Sequence, residues 1–209
     1  LDVKPRQRYR STMIARLMNG AGNAFILADA RDRPGPVTIP VSKIREWARL
    51  WPFDQLLVLE TSDRADAFMR IWNCDGQEVG ACGNGTRAAA WQMMAETGRN
   101  ALAIDTAAGV LRASRIGSGQ VSVDMGVPKL DWQDIPLARP MDTISLDFRA
   151  EIDGIRIENP GAVNMGNPHA VFFVRDVESL PVEKLGREVE FDPTFPDRVN
   201  AGFAQIYDP

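Results

Sequence analysis

Residues 71–91, IWNCDGQEVGACGNGTRAAAW, put a thiol in a glycine-rich turn that opens straight into a helix. The N–H groups and dipole at a helix N-terminus favour negative charge. A cysteine held there has its pKa drawn below the ordinary value of about 8.5, which makes Cys82 a candidate thiolate. Gly83 and Gly85 leave backbone N–H groups open to approach, and Asn84 adds an amide that both donates and accepts. Such a turn can hold a carboxylate beside a thiol. The plainer reading is that Cys82 is a small buried hydrophobe, since free cysteine is among the most buried residue types. Residues 86–97 read as an alanine-rich helix, stopped by Gly98, that neighbouring strands can enclose closely.

Outward from this stretch, the sequence alternates in the manner of strands. Toward the N-terminus, residues 14–18 and 25–28 form a hairpin-like pair joined by Asn19-Gly20-Ala21-Gly22-Asn23. Residues 40–51 carry Val41, Ile44, Trp47, Ala48 and Trp51 on one helical face, and Pro52 stops them. Strands follow at 55–60 and 67–72. After the alanine-rich helix come strands at 101–106, 110–114 and 121–125. The proline-bearing segment 126–139 places a domain boundary near Pro128. Further strands are expected at 143–148, 155–158, 162–165, 170–174 and 203–207, and no second alanine-rich helix appears. The domains are thus 13–128 and 129–209, with the polar, basic residues 1–12 set aside as an extension or tag.

Composition narrows the function. With 44% apolar and 25% charged residues in 209, this is an ordinary globular chain, long enough to bury a core. A net charge of -4 with scattered arginines gives no nucleic-acid footprint. No apolar run approaches the roughly 18 residues of a membrane span. Two cysteines without a secretory leader indicate a reducing compartment, with the cytoplasm as the default. The Cys74/Cys82 spacing and a single histidine, His169, do not make a zinc site. Asn19, Asn23, Asn73, Asn167 and Asn200 also fit as turn formers beside glycine, proline or strand ends, Gln55 as a solvent-facing strand residue, and His169 as a structural histidine.

Five motifs in order carry a resemblance. They are Met18-Asn19-Gly20-Ala21-Gly22-Asn23; Phe53-Asp54-Gln55-Leu56; Asn73-x-Asp75-Gly76 with Ala81-Cys82-Gly83-Asn84-Gly85-x-Arg87; Gly166-Asn167-Pro168-His169; and Phe195-Pro196 with Asn200. Together they resemble the diaminopimelate epimerase family of cofactor-independent amino-acid isomerases. The resemblance implies an α/β (α+β) fold of two similar domains, each a cup of mostly antiparallel strands around a central helix, with the active site in the cleft between them and one cysteine at the start of each central helix. Inverting an α-carbon needs a base on one face and an acid on the other, and two opposed thiols, one of them ionised, supply both. Cys82 carries over as the catalytic thiol and His169 as an assisting catalytic residue. Gly83 and Asn84 carry over as contacts to the substrate carboxylate, and Asn23, Gln55, Asn73, Asn167 and Asn200 as substrate-binding amides. No cofactor or metal is required, and only four lysines are present, none in a pyridoxal-phosphate motif. The implied substrate is diaminopimelate, and the family permits a homodimer.

The chain departs from the family pattern in two places. Ala24 stands where many members carry an acidic residue. Asp208-Pro209 comes before the family's second signature, with its Glu-Arg pair, second catalytic cysteine and Gly-Thr partner; the expectation is an epimerase whose second domain is incomplete, whose first domain lacks a terminal strand, and whose full activity is lost. Cys74 is not expected to replace the second thiol, because it shares a turn with Cys82. Rival expectations are a proline racemase-like enzyme of the same superfamily and a non-catalytic amino-acid-binding fragment.

Overall fold

In the computed structural model, which describes residues 13–207, the fold starts with an antiparallel hairpin of β1 (Ile14–Gly20) and β2 (Asn23–Asp29). The segment 1–12, expected to be an extension or tag, and the closing Asp208-Pro209 lie outside the described residues. Ala21 and Gly22 close the hairpin with φ of 52° and 92°. Two central residues of positive φ match the right-handed twist of the flanking strands.

The chain divides into two units. The first runs to Val79 and resumes over Gly83–Val123; the second comprises Gly80–Cys82 and the chain from Asp124 onward. The first unit adds α1 (Val41–Leu50), β3 (Gln55–Glu60), β4 (Ala67–Asn73), β5 (Glu78–Val79), α2 (Gly83–Thr97), β6 (Ala101–Thr106), β7 (Gly109–Gly117) and β8 (Gln120–Asp124). Its sheet has the order β1-β2-β3-β4-β6-β7-β8, with β5 paired to β4. The pairs β2/β3 and β4/β6 are parallel.

Both faces of this sheet are covered, which explains why Leu56, Leu57, Val58 and Leu59 are all buried in succession. Leu56 and Val58 join Ile26, Ala28 and Trp72 in packing against Ile44 of α1. Alternation along each strand sends Phe25, Leu27, Leu57, Leu59, Met69 and Ile71 to the other face, where α2 contacts β1, β2, β3, β6 and β7. Ala88, Ala89, Ala90, Met93 and Met94 of α2 are buried. Full burial of each large apolar side chain contributes about 1.5–3 kcal/mol. The helix ends at Gly98, whose φ is 70° and whose N–H donates to Met94 O, a glycine C-terminal stop.

The far end of α2 carries Glu96, a carboxylate on the unfavourable end of the helix dipole. Cations offset it. The Arg31 guanidinium grips Asp29 at 2.9 and 2.6 Å and reaches Glu96 Oε2 at 2.8 Å, while Arg16 lies 3.8 Å from Glu96 Oε1. The hydrogen bond from Arg31 holds the Asp29 carboxyl below its ordinary range. For Glu96 the hydrogen bond from Gln92, followed by that from Arg31, lowers the pKa in the same way.

The second unit holds β9 (Arg149–Ile152) paired with β10 (Ile155–Glu158), and a three-stranded sheet β11-β12-β13 of Gly161–Asn164, Pro168–Val174 and Asn200–Gln205. Its core gathers Leu146, Phe148, Ala170, Phe172, Leu185, Val189 and Phe195. The architecture is mixed α/β, as expected.

Several local expectations are corrected. Residues 143–148 are not a strand: Ile144 N–H is drawn into an Asx turn by Asp142, and Leu146 N–H bonds to the carbonyl of Pro160, a residue with no N–H to return. The strand begins only at Arg149. The helix α3 (Val182–Glu190) was not expected; Pro181 stands at its start and Gly186 inside it. Leu185 and Val189, four apart, are fully buried on one face and hold it in place. The alanine-rich helix starts at Gly83 rather than residue 86, and the last strand occupies Asn200–Gln205 rather than 203–207.

Two predictions follow from this packing. Gly76 has φ of 87°, and a methyl added there would lie 2.5 Å from Val41 Cγ1, whereas Gly22, φ 92°, has nothing within 4 Å of such a methyl. Gly22→Ala should therefore cost only the backbone strain of about 1–2 kcal/mol, and Gly76→Ala a further 1–3 kcal/mol or so of overpacking, read by urea unfolding. For the ion cluster, the folded carboxyl pKa values lie below the ordinary 3.8 of Asp29 and 4.5 of Glu96. Their stabilisation is fully present above those ordinary values and is lost as pH falls through the folded ones. Arg31→Met should flatten the loss of stability below about pH 4.5, measured by thermal unfolding across the acid range.

Candidate active site

Strand direction decides which side chains meet in the first unit. Because β2 and β3 run parallel and β4 antiparallel to them, the starts of β2 and β3 share one sheet end with the finish of β4. Asn23 opens β2, Gln55 opens β3 and Asn73 closes β4. Gln55 and Asn73 are register partners, and Gln55 Nε2 donates to Asn73 Oδ1 at 3.0 Å. The N-terminus of α2 arrives at the same end. A methyl added at Gly20 would lie 3.3 Å from the Asn84 carbonyl oxygen, tighter than an ordinary contact, so the glycine eases the close approach of the hairpin and the helix start. Asn84 Nδ2 donates to Asn23 Oδ1 at 2.7 Å, and the Arg87 guanidinium donates to Asn84 Oδ1.

Four of the amides expected from sequence therefore gather at one end of the sheet. They form two bonded pairs, Asn23 with Asn84 and Gln55 with Asn73. Cys82 directly precedes Gly83, the first residue of α2, and is partly buried; Cys74, on the loop after Asn73, is exposed, and neither is in a disulfide. The N–H groups of Gly83 and Asn84 have no acceptor within the helix itself. The loop between β4 and β5 is set by Gly76 N–H to Asn73 O and by Gln77 N–H to Asp75 Oδ1, both at 2.8 Å.

The second unit gathers the remaining candidates at the start of its parallel strand pair. His169 and Asn200 are register partners on β12 and β13, and Asn200 Nδ2 donates to Pro168 O at 2.9 Å. His169 Nε2 lies 3.0 Å from Asn167 Oδ1. That oxygen only accepts, so Nε2 carries the proton and Nδ1 keeps its lone pair in the neutral ring. Burial holds the imidazole pKa below the ordinary 6.5, which keeps the ring neutral near pH 7.

Sequence reasoning quoted Asp54 and Arg87 within motifs but assigned them no role, and both are bonded into the amide set of the first unit. A pure acceptor preceding Gln55 and a pure donor one turn after Gly83 were the available signals. Among the described residues no cluster of three or more His, Cys, Asp or Glu side chains could hold a metal, and no helix is long and apolar enough to cross a membrane.

Comparison with known proteins matches residues 16–130 to the family model described as diaminopimelate epimerase. A diaminopimelate epimerase from Phenylobacterium zucineum is 46% identical over 193 residues, which cover 92% of this chain and 70% of that protein. One from Acidiphilium cryptum is 47% identical over 190 residues, covering 90% and 67%. Among solved structures, a hydroxyproline epimerase from Agrobacterium vitis with bound trans-4-hydroxy-L-proline superposes with TM-score 0.53 at 17% identity, covering 88% of this chain and 56% of that one. A probable proline racemase from Agrobacterium radiobacter gives 0.51 at 17%, covering 86% and 55%. At such identity these two structures share the fold alone.

As the chain's single histidine, His169 gives an unambiguous NMR signal. Its midpoint should lie below 6.5, and its ring 15N shifts above that midpoint should show Nε2 protonated and Nδ1 bare. Because the folded pKa is depressed, the stability held by the neutral ring is fully present above pH 6.5 and is lost as pH falls through the folded value. Asn167→Ala should weaken the tautomer preference toward that of a free imidazole.

Proposed function

The chain belongs to the diaminopimelate epimerase family, and from that premise we propose that its site serves the interconversion of LL- and meso-2,6-diaminopimelate by proton transfer at the α-carbon, with the Cys82 thiol supplying one of the two acid/base groups that inversion needs. The observation that carries this reading is the position of Cys82 directly before a helix whose Asn84 joins an amide cluster at one sheet end. A thiolate there draws on the field of the helix N-terminus. The N–H groups of Gly83 and Asn84 suit the α-carboxylate and the charge that develops beside it as the proton leaves.

Neutral amides suit a substrate with an amino-acid group at each end. They serve ammonium and carboxylate alike without burying an unpaired charge. Asn23, Gln55 and Asn73 are assigned this part in the first unit, and Asn167 and Asn200 in the second. His169, neutral and with Nδ1 unprotonated, is assigned the assisting role. The chemistry calls for no cofactor or metal. A cytoplasmic homodimer is the accompanying reading.

Exchange and inversion are separable readouts. One acid/base that removes and returns the α-proton on the same face exchanges it with solvent, whereas inversion needs a second group on the opposite face. Incubated with LL- and meso-diaminopimelate in deuterated water under reducing conditions, the chain should incorporate deuterium at the α-carbon. Cys82→Ala should lower that rate by about 10²–10⁴-fold, while Cys74→Ala should leave it unchanged. Exchange by Cys82→Ala at the unaltered rate would falsify the thiol assignment. Faster exchange of proline than of diaminopimelate would move the substrate to the related racemase class.

A further inference from the structure

An Asn side chain has a donor end and an acceptor end of nearly equal size, so only its hydrogen-bond partners decide which end faces a ligand. In the first unit those partners form a chain with a charged group at each end. Asp54, an acceptor only when ionised, takes the Ala24 N–H at 2.8 Å and Asn23 Nδ2 at 3.2 Å. With its Nδ2 turned toward Asp54, Asn23 turns Oδ1 toward Asn84 Nδ2, 2.7 Å away. Asn84 Oδ1 in turn receives the guanidinium of Arg87, which only donates.

We propose that Asp54 is a positioning residue: with Arg87 it forms the poles of a relay, Asp54–Asn23–Asn84–Arg87, that sets the orientation of the two substrate-facing amides. The reasoning is one of polarity. An acceptor-only group at one end and a donor-only group at the other admit a single direction of donation along the chain. Reversing Asn23 alone sets oxygen against the Asp54 carboxylate and NH₂ against NH₂ of Asn84. Reversing Asn84 alone sets oxygen against oxygen and NH₂ against the guanidinium. Reversing both restores the middle bond and breaks the two bonds to the charged poles, so the net loss is two charge-assisted hydrogen bonds.

The Asp54 pole is itself anchored by backbone. Its N–H donates to Ala24 O at 2.8 Å and its carbonyl accepts from Cys74 N–H at 3.0 Å, tying the residue to the start of β2 and to the loop after β4. The carboxylate therefore holds its place although Asp54 is exposed. Asn23 and Asn84 each keep one N–H and one lone pair in a preset direction, ready for a ligand's carboxylate or ammonium. This inference rests on the reading of Asn23 and Asn84 as substrate-facing residues.

The test joins a measurement that needs no substrate to one that does. In the ¹⁵N,¹³C-labelled chain, scalar coupling across the hydrogen bonds should link Asn84 Nδ2 to Asn23 Cγ, and Asn23 Nδ2 to the Asp54 carboxyl carbon. Coupling in the opposite sense, or none, overturns the relay. In Asp54→Asn, of the same size but able to donate, the two side-chain amide signals should split or broaden, and KM for diaminopimelate in the exchange assay should rise about tenfold with kcat little changed. Asp54→Glu, which keeps an acceptor-only pole, should recover most of that loss; a merely structural role would not produce this recovery. Unchanged amide signals and KM in Asp54→Asn overturn the relay. Should Asp54→Asn fail to fold, the couplings in the unmodified chain decide. If the unmodified chain shows the couplings but neither binds nor exchanges diaminopimelate, the relay stands and the substrate reading falls.

Discussion

Enclosure of α2 is the constraint on which the first unit depends. A helix with Ala88, Ala89 and Ala90 buried is thin enough for strands to approach from several sides, and it contacts five strands of the sheet. Wider side chains at those positions would push the strands away. The same sheet then offers its other face to α1, so β3 is buried on both sides and its apolar run has no polar alternation.

Enclosing a helix also brings its terminus to a defined place. The start of α2 and the ends of β2, β3 and β4 converge, and the residues there are polar but mostly uncharged: Asn23, Gln55, Asn73 and Asn84. Charges are kept at the periphery of the set, as Asp54 and Arg87, where each is bonded to an amide. A buried unpaired charge costs several kcal/mol, while a bonded amide costs little (estimates of about 1–3 kcal/mol apply only when the bond is missing). At the other end of the helix the solution differs, and Glu96 is held by Arg31, Arg16 and Gln92.

Much of this was legible in the letters. The alanine run and Gly98 marked α2, residues 19–23 marked a hairpin-like connection that the structure tightens to Ala21-Gly22, and the apolar face of residues 40–51 marked α1. The asparagines and Gln55 stood out as polar residues at element ends. Less legible was the second unit, where Pro160 and Asp142 broke a stretch with strand-like alternation, and where a glycine inside α3 hid a helix of nine residues held by two buried side chains.

The sequence by itself determined the family, the mixed α/β class, the position of Cys82 ahead of a helix and the types of polar residue available to a site. These properties depend on local periodicity, turn chemistry and ordered motifs, all of which are written within short stretches of chain. Only the tertiary structure decided which amide bonds to which, that Asp54 and Arg87 close the set, and that His169 is partly desolvated beside Asn167. Asn23 and Asn84 are 61 residues apart, and Gln55 and Asn73 are 18 apart. Their meeting is set by strand register and by the approach of α2 to the hairpin, which arise from packing across the whole sheet and leave no trace in any local pattern.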